Sequence, residues 1–446
     1  MTFITLPHFK TLYQQTMPML IGLFSIMGGQ LIDSAFIGQL GEEPLAIVGV
    51  SIPIFQLIIG IQVGIGIAAT SCISTAIGEQ KLTFAKNLSA IILVLGSLLV
   101  ALLCTVLWLF KGAILYAIFE EASLLDLLRS YWFPWLLSCW MGAVLYFGYS
   151  ICRSFGQTLI AGKVMIITSV INIALDPIFI FTLKLGLAGA AWATCIAYII
   201  GLLIIFKYIQ EKNYVAFPNS LSIVKKGTHL ISRFTTPALL SQFLPPISAI
   251  LVTSIVVSYG NAAIGAWGLA NRIEYILIIL ILAITMALPP MIGKLKGSNN
   301  YIEIEQITKT AIIFIIMVQS VLAVITIIAS PSFTSLLTTE AQIKNILIQY
   351  LFLIPISYGA LGICMISVSA CNAIGEPTSA LAISILRLLA CYLPLVWIGS
   401  EIYGLEGIFI GASIGNFISG IVGWKLFIRK FNQLRYNSNS EKQYSY

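Results

Sequence analysis

The sequence predicts an all-α polytopic membrane protein, with twelve transmembrane helices arranged as two pseudo-symmetric six-helix bundles. Three observations support this fold class: a scarcity of charge, a series of long apolar stretches, and a weak internal repeat. Of the 446 residues, 59% are hydrophobic and only 9% are charged, whereas a soluble domain carries roughly a quarter charged residues. So few charges cannot cover a water-soluble surface, and most of the surface must therefore face lipid.

Twelve apolar runs lie between polar, mostly glycine-containing breaks, and each contains at least the ~20 residues that a helix needs to cross the hydrocarbon core. The first run is predicted to be a permanent span rather than a signal peptide, because no small-residue cleavage site precedes it. The predicted spans cover residues 12–38, 45–77, 88–110, 127–153, 159–183, 187–210, 230–259, 262–293, 306–328, 345–371, 378–398 and 404–428.

Lysine and arginine are distributed unequally between the two sides of this predicted bundle. Most of the 24 basic residues fall on the side of the N-terminus. Because positive loops collect in the cytoplasm, we expect a multi-pass plasma-membrane protein with both termini cytoplasmic. The net charge of +7 is then explained by the basic cytoplasmic loops. It does not indicate nucleic-acid binding, because the sequence contains no soluble basic domain. The basic residues predicted on the outer side are Lys111, Arg129, Lys184 and Lys344.

The two halves of the chain resemble each other. Cys152-Arg-Ser-Phe-Gly156 matches Cys371-Asn-Ala-Ile-Gly375, and Leu185–Ala190 matches Tyr403–Ile408 at nearly the same separation. Each half has an even number of spans, so the repeat is parallel and a central cavity is expected, as in many transporters. The predicted organisation is an N-terminal lobe at 1–210, a cytoplasmic linker at 211–228, a C-terminal lobe at 229–435 and a cytoplasmic tail at 436–446.

Acidic side chains inside predicted spans are candidates for function, because a charge near the bilayer centre costs at least about 2.5–3.5 kcal/mol. Asp33, Asp176 and Glu274 are in this position. Asp33 and Asp176 belong to the outer parts of spans one and five. Asn172 precedes Asp176 by one helical turn and shares its face.

A group of oxygen-bearing side chains shares this depth in the first half and would suit a proton or Na⁺. The alternatives are ordinary hydrogen bonding within and between helices and, for Tyr131, a place in the interfacial aromatic belt. In the repeat, Cys391 and Leu395 replace Asn172 and Asp176, which favours a site in the first half alone. The predicted cation-coupling residues are Asp33, Tyr131, Asn172, Asp176 and Thr194, and a Na⁺ ion would use Asp33, Asn172, Asp176 and Thr194.

Several other polar residues and one proline in the spans each have two interpretations. Pro18 in span one is a candidate hinge or a static kink. The charged residues of spans eight and eleven are either structural ion pairs or cavity lining. The predicted cavity-lining set is Gln242, Arg272, Glu274 and Arg387.

Several chemistries receive no support from the sequence. The eight cysteines lie in apolar runs without C-x-x-C spacing, which is typical of packing residues. No phosphate-binding G-x-x-x-x-G-K-[ST] motif occurs, and no clustered catalytic constellation suggests a membrane enzyme. We therefore expect no enzyme activity and no cofactor beyond the coupling ion, H⁺ or Na⁺.

Motifs across nearly the whole chain resemble the multidrug and toxic compound extrusion (MATE) family. They include Leu31-Ile-Asp33-Ser-Ala-Phe-Ile-Gly38, Cys152-Arg-Ser-Phe-Gly156, Asn172-Ile-Ala-Leu-Asp176-Pro177, Gly186–Thr194 and Asn372-Ala-Ile-Gly375-Glu-Pro377. Each motif is weak evidence alone, so the resemblance depends on the order and spacing of the whole set. It implies a MATE-like fold and a monomeric antiporter that exports small drug-like, cationic or amphipathic compounds in exchange for H⁺ or Na⁺, with membrane lipid around it.

Within that family, the sequence is most similar to the DinF type. This similarity implies that the cation binds in the N-terminal lobe at the five residues named above and that Pro18 bends with protonation. The NorM branch uses carboxylates in spans seven and ten, and here span ten contains no Asp or Glu. A lipid-linked-saccharide flippase of the same superfamily is the alternative, although it would line its cavity with more basic residues than Arg272 and Arg387.

Overall fold

The protein is described by a computed structural model that covers residues 6–112 and 122–444, and these ranges contain helices and no strand. The last helical segment, Pro377–Tyr444, is interrupted at Tyr403 and Gly404, where φ is −127° and 60°. We call its two parts α11 and α12. The other helices are α1 (Leu6–Gly38), α2 (Glu42–Gly78), α3 (Leu82–Leu109), α4 (Ala122–Ser154), α5 (Thr158–Thr182), α6 (Gly186–Glu211), α7 (Leu221–Val257), α8 (Asn261–Gly297), α9 (Tyr301–Leu337) and α10 (Ala341–Ala373).

The number of membrane spans agrees with the sequence. Within the described ranges, 11 continuous helical segments are long and apolar enough to cross a membrane. The last of these, Pro377–Asn437, contains the break at Tyr403 and Gly404 and therefore supplies two spans. The predicted all-α fold with twelve transmembrane helices is confirmed.

Several helices extend beyond their predicted apolar limits. Helix α9 begins at Tyr301, where the Asn300 side chain accepts a hydrogen bond from the Glu303 N–H at 3.3 Å and caps the helix. Helix α7 begins at Leu221, inside the predicted linker, and α12 continues through the predicted tail to Tyr444. Hydropathy marks only the part of a helix that faces lipid, whereas backbone hydrogen bonding continues into polar sequence. Residues 445–446 of the tail lie outside the described ranges.

Packing divides the chain into two compact units. One unit is Met17–Leu239, and the other is Leu240–Tyr446 together with Met1–Thr16. The unit boundaries therefore fall inside α1 and α7 rather than between helices. The lobes at 1–210 and 229–435 and the linker at 211–228 remain a prediction from the sequence.

The internal repeat is visible in the backbone turns. Gly41 and Gly260 have φ angles of 114° and 92°, and Gly156 and Gly375 have φ angles of 85° and 88°. Such left-handed conformations favour glycine because it has no Cβ. The two pairs have the same separation along the chain, so equivalent turns follow equivalent helices in the two halves. A residue of the first half is therefore equivalent to the residue of the second half that lies at the same distance along the chain from the corresponding turn.

Candidate functional site

Helix α5 changes its geometry directly after the predicted site residues. The regular α-helix ends at Pro177, and a π-helical turn follows at Ile178–Thr182. Proline has no N–H, so it cannot complete the hydrogen bond to the carbonyl one turn back. Single π turns within α-helices frequently occur at functional sites. Asp176 thus stands directly before the last residue of the regular helix and is fully buried.

A chain of hydrogen bonds joins α5 to α6 at this point. The Asn172 Nδ2 donates to Asp176 Oδ1 at 3.0 Å and to Thr194 Oγ1 at 3.3 Å. The Thr194 hydroxyl donates its own proton to the Ala190 carbonyl at 2.9 Å. Thr194 therefore accepts from Asn172, and the amide of Asn172 links the two helices.

Helix α1 brings a second carboxyl group to the same place. The Asp33 carboxyl interacts electrostatically with Asp176. Each residue keeps one enclosed oxygen without a hydrogen-bond partner, Oδ1 of Asp33 and Oδ2 of Asp176. A buried carboxyl oxygen without a donor is costly. Both atoms are therefore suited to receive a proton or a cation.

Small residues allow α1 and α5 to approach closely along this face. A Cβ on Gly29 would lie 3.7 Å from the Cβ of Ser169 and 3.9 Å from the Cδ1 of Ile173. One turn further along α1 is Asp33. The contact at Gly29 thus carries this part of α1 alongside α5.

The fifth predicted residue, Tyr131, joins the group from α4. Its side chain is 6% exposed and stacks on Trp135, with ring centroids 5.9 Å apart. Tyr131 contacts Ser51 of α2 and interacts electrostatically with Asp33. The structure therefore brings all five predicted coupling residues together within the Met17–Leu239 unit.

Tyr198 belongs to the same group but is absent from the sequence-based set. It lies one turn after Thr194 on α6 and interacts electrostatically with Asp33. A Cβ on Gly142 would lie 3.0 Å from the Tyr198 ring, so the glycine makes room for it. The i, i+4 spacing from Thr194 is a signal that could have identified this tyrosine.

Pro18 lies where α1 is held most closely against α5. A Cβ on Gly162 would collide with the Pro18 carbonyl group, so only glycine fits at this position of α5. Helix α1 is continuous through Pro18. The hinge role of Pro18 remains a prediction.

The residues predicted to line a cavity lie in the second unit and are not all close together. Gln242 is half-buried on α7, and Arg272 is exposed on α8. Glu274 and Arg387, both half-buried, interact electrostatically across α8 and α11. The structure therefore separates Arg272 from the pair that contains Glu274 and Arg387.

The first-unit cluster offers two carboxylates, one amide and hydroxyl oxygens, all hard donors. In the described ranges, no three His, Cys, Asp or Glu residues gather as a metal site. The cluster's donor set suits a proton or a hard cation, which prefers oxygen ligands. The eight cysteines are all buried, as expected for packing residues.

Comparison with known proteins identifies the family. The MatE family model matches residues 18–178 and 237–398, so it covers most of the chain in two segments that follow the repeat. The chain is 28% identical over 432 residues to an FAD transporter of Shewanella oneidensis, with 95% of both chains covered. It is 25% identical over 409 residues to the multidrug export protein MepA of Staphylococcus aureus, with 90% of this chain and 89% of MepA covered.

A solved structure gives the same result. The Vibrio cholerae MATE transporter VcmN, crystallised in its bent form, matches with a TM-score of 0.93 and 43% sequence identity. The match covers 96% of this chain and 98% of VcmN. The chain thus belongs to the MatE family and is an integral membrane transporter rather than an enzyme.

Proposed function

We propose that this protein is a cation-driven antiporter that exports small organic compounds, with the cluster around Asp33 and Asp176 as its coupling site. The observation that supports this most directly is the pair of interacting carboxyls, each with a buried oxygen that has no hydrogen-bond partner. A site of this kind changes its net charge when a proton or Na⁺ binds. In a transporter, such a change can bias the packing of the helices that carry it.

The coupling follows from electrostatics. When the cation is absent, the two carboxylates repel each other in a poorly hydrated setting, and one amide donates a hydrogen bond to Asp176 alone. Cation binding removes that repulsion and favours closer packing of α1, α5 and α6 around the site. A substrate that prefers the cation-free arrangement then loses affinity, and linkage requires the cation to lose affinity equally when substrate is bound. Exchange in opposite directions follows from this competition.

The substrate class that we favour is cationic or amphipathic organic compounds. Support comes from the similarity to MepA, a multidrug export protein, and from the two acidic side chains of the proposed site. Both termini are predicted to lie in the cytoplasm, so transport to the opposite side of the membrane is export from the cell.

A second candidate substrate is a flavin dinucleotide. The similarity to the Shewanella oneidensis FAD transporter extends over 95% of both chains, so it includes every helix of the proposed site. FAD carries two phosphates and would not be attracted by carboxylates. The coupling site would then act only through helix packing and would not contact the substrate.

The test uses purified full-length protein in liposomes, with efflux measured for ethidium and, separately, for FAD. A pH gradient and a Na⁺ gradient are imposed one at a time. We expect ethidium efflux to be driven by at least one of the two gradients. Transport of FAD without ethidium would replace the favoured substrate class, and transport of ethidium that ignores both gradients would refute cation coupling.

A further inference from the structure

A second enclosed carboxyl lies in the other unit, outside the site described above. The Tyr350 hydroxyl of α10 donates to Glu274 Oε2 of α8 at 2.9 Å. The Tyr350 oxygen also lies 3.1 Å from the Tyr358 hydroxyl, so a second phenol continues the hydrogen-bonded chain. Both tyrosines are 1% exposed. The carboxyl is thus joined to two buried phenols.

Tyr350 is held in one position by packing as well as by hydrogen bonds. Its ring meets the ring of Trp267 edge-on at 6.1 Å and that of Phe409 at 5.5 Å. Tyr350 and Tyr358 both belong to the apolar core of this unit. The phenol chain is therefore a fixed feature of the core and not a chance surface contact.

The other titratable groups around Glu274 come from two helices. Arg387 and Tyr392 of α11 interact with it electrostatically, as does Tyr275 of α8. Arg387 compensates the carboxylate only partly, because no ion pair joins these two residues in the described part of the chain. A half-buried carboxylate without a close ion pair still loses part of its hydration, so protonation offers a way to relieve that cost.

The repeat relates this carboxyl to the first-unit site. Counting from Gly41 to Tyr131 gives the same number of residues as counting from Gly260 to Tyr350, so the two buried tyrosines are equivalent. Each faces a carboxyl group in its own unit. The acids themselves come from helices that are not equivalent, α1 for Asp33 and α8 for Glu274. Both halves therefore pair the same tyrosine position with an acid.

We propose that Glu274 is a second proton-binding site of the transport cycle, in which Tyr350 and Tyr358 are positioning residues. The carboxylate takes up one proton and releases one proton in each cycle, without any other change in bonding. This inference rests on the proposed cation-driven export, and it adds a proton to those that the Asp33 and Asp176 cluster exchanges.

The proton itself can be observed without any transport. Infrared difference spectra between acidic and alkaline buffer, recorded on the full chain in liposomes, report the C=O band of each carboxyl that becomes protonated. We expect Glu274→Gln to lose one such band. Tyr350→Phe should shift its frequency, because the hydrogen bond to the carboxyl is lost. Tyr259→Phe is the matched control, since the Tyr259 hydroxyl bonds Ser400 in the same unit.

Spectra of Glu274→Gln that are identical to those of the unaltered protein would overturn the proposal. If Glu274→Gln does not fold, Tyr350→Phe decides, because it keeps the ring and its aromatic contacts. A Tyr350→Phe spectrum that changes no more than that of Tyr259→Phe would also overturn it.

A transport assay then tests whether the proton bound at Glu274 is coupled to ethidium export. At a pH gradient of one unit, losing one coupled proton lowers the equilibrium accumulation ratio of ethidium about tenfold. We expect this reduction in Glu274→Gln and no change in the exposed control Glu406→Gln. An unchanged ratio in Glu274→Gln, with coupling still lost in Asp176→Asn, would reject the second site alone. Absence of gradient-driven transport in the unaltered protein would instead reject the proposed function.

Discussion

The two units of this transporter enclose acidic side chains in different ways. In the Met17–Leu239 unit, Asp33 and Asp176 interact electrostatically, and Asp176 is joined to one amide and, through it, to one hydroxyl. In the other unit, Glu274 is a single carboxyl bonded to a phenol, with Arg387 as a distant counter-charge. The first arrangement gathers negative charge and oxygen donors around one point, whereas the second holds one negative charge against one positive charge. The first therefore offers a cation more oxygen donors than the second does.

The packing of the hairpin helices explains part of this difference. The repeat places Leu395 of α11 at the position of Asp176. The Leu395 carbonyl lies against Gly411 of α12 so closely that no Cβ would fit there. The second hairpin thus has a close backbone contact at the position where the first carries polar side chains. The acid of the second unit comes from a different helix, α8.

The largest effect should come from removing one first-unit carboxyl. Asp176→Asn and Asp33→Asn keep the side-chain volume and abolish the charge change on cation binding. We expect the initial rate of gradient-driven ethidium efflux to fall by more than about tenfold, which corresponds to more than about 1.4 kcal/mol of lost driving interaction. The initial rate of ethidium efflux from proteoliposomes is the quantity to measure.

Glu406→Gln is the control for these variants, because Glu406 is exposed at the start of α12. Coupled efflux at the normal rate in either aspartate variant would show that the two interacting carboxyls do not couple transport. In that case Glu274 would become the leading site, and the comparison between the units would be reversed.

The next effect is on stability and concerns the approach of α1 to α5. Gly162→Ala forces a methyl group against the Pro18 carbonyl, and overpacking of this kind costs about 1–3 kcal/mol. We expect a lower melting temperature in detergent by a fluorescent thermal-shift assay. Gly28→Ala is the matched control, because a Cβ there meets nothing within 4 Å. It should leave the melting temperature unchanged or raise it, since alanine favours helix over glycine.

Much of the fold could be predicted because lipid imposes simple rules on sequence. A span must be long and apolar, so hydropathy alone gave the helices. The high cost of buried charge singled out Asp33 and Asp176, and the helical period added Asn172. The ends of the helices were harder to predict, because a helix such as α9 continues into polar sequence where hydropathy carries no signal.

The contacts that sequence reasoning missed depend on which helix faces are turned toward each other. Tyr198 shares a helix face with Thr194, but it is one aromatic residue among many in the spans, and this spacing does not say that it lies near Asp33. The bond from Tyr350 to Glu274 joins residues that are far apart in the chain. Periodicity describes one helix at a time, so it cannot pair faces of two helices. The packing of α8 against α10 supplies that information.

A smaller effect should appear in the pH dependence of transport. Asn172→Ala removes the donor to Asp176 Oδ1 and the link to Thr194. A donor to a carboxylate stabilises its charged form, so losing the donor favours the protonated form. The pH of half-maximal ethidium transport should therefore move upward by about one unit. Thr105→Val, at an exposed hydroxyl that bonds only its own helix, should leave the pH profile in place. A downward shift in Asn172→Ala would contradict the assigned direction of the bond.

The smallest effect should come from Tyr131→Phe, which compares the equivalent tyrosines directly. Tyr350 donates a hydrogen bond to its carboxyl, whereas Tyr131 contacts Ser51 and reaches Asp33 only electrostatically. Phenylalanine keeps the stack on Trp135, so the loss is about one ordinary hydrogen bond, or about 0.5–1.5 kcal/mol of stability. Ethidium efflux under a pH gradient should fall only a few-fold, and less than in Asp33→Asn. A loss as complete as in Asp33→Asn would mean that the phenol itself holds the coupling ion. The two tyrosines would then perform different tasks at equivalent positions, and the acids would no longer be the feature that distinguishes the units.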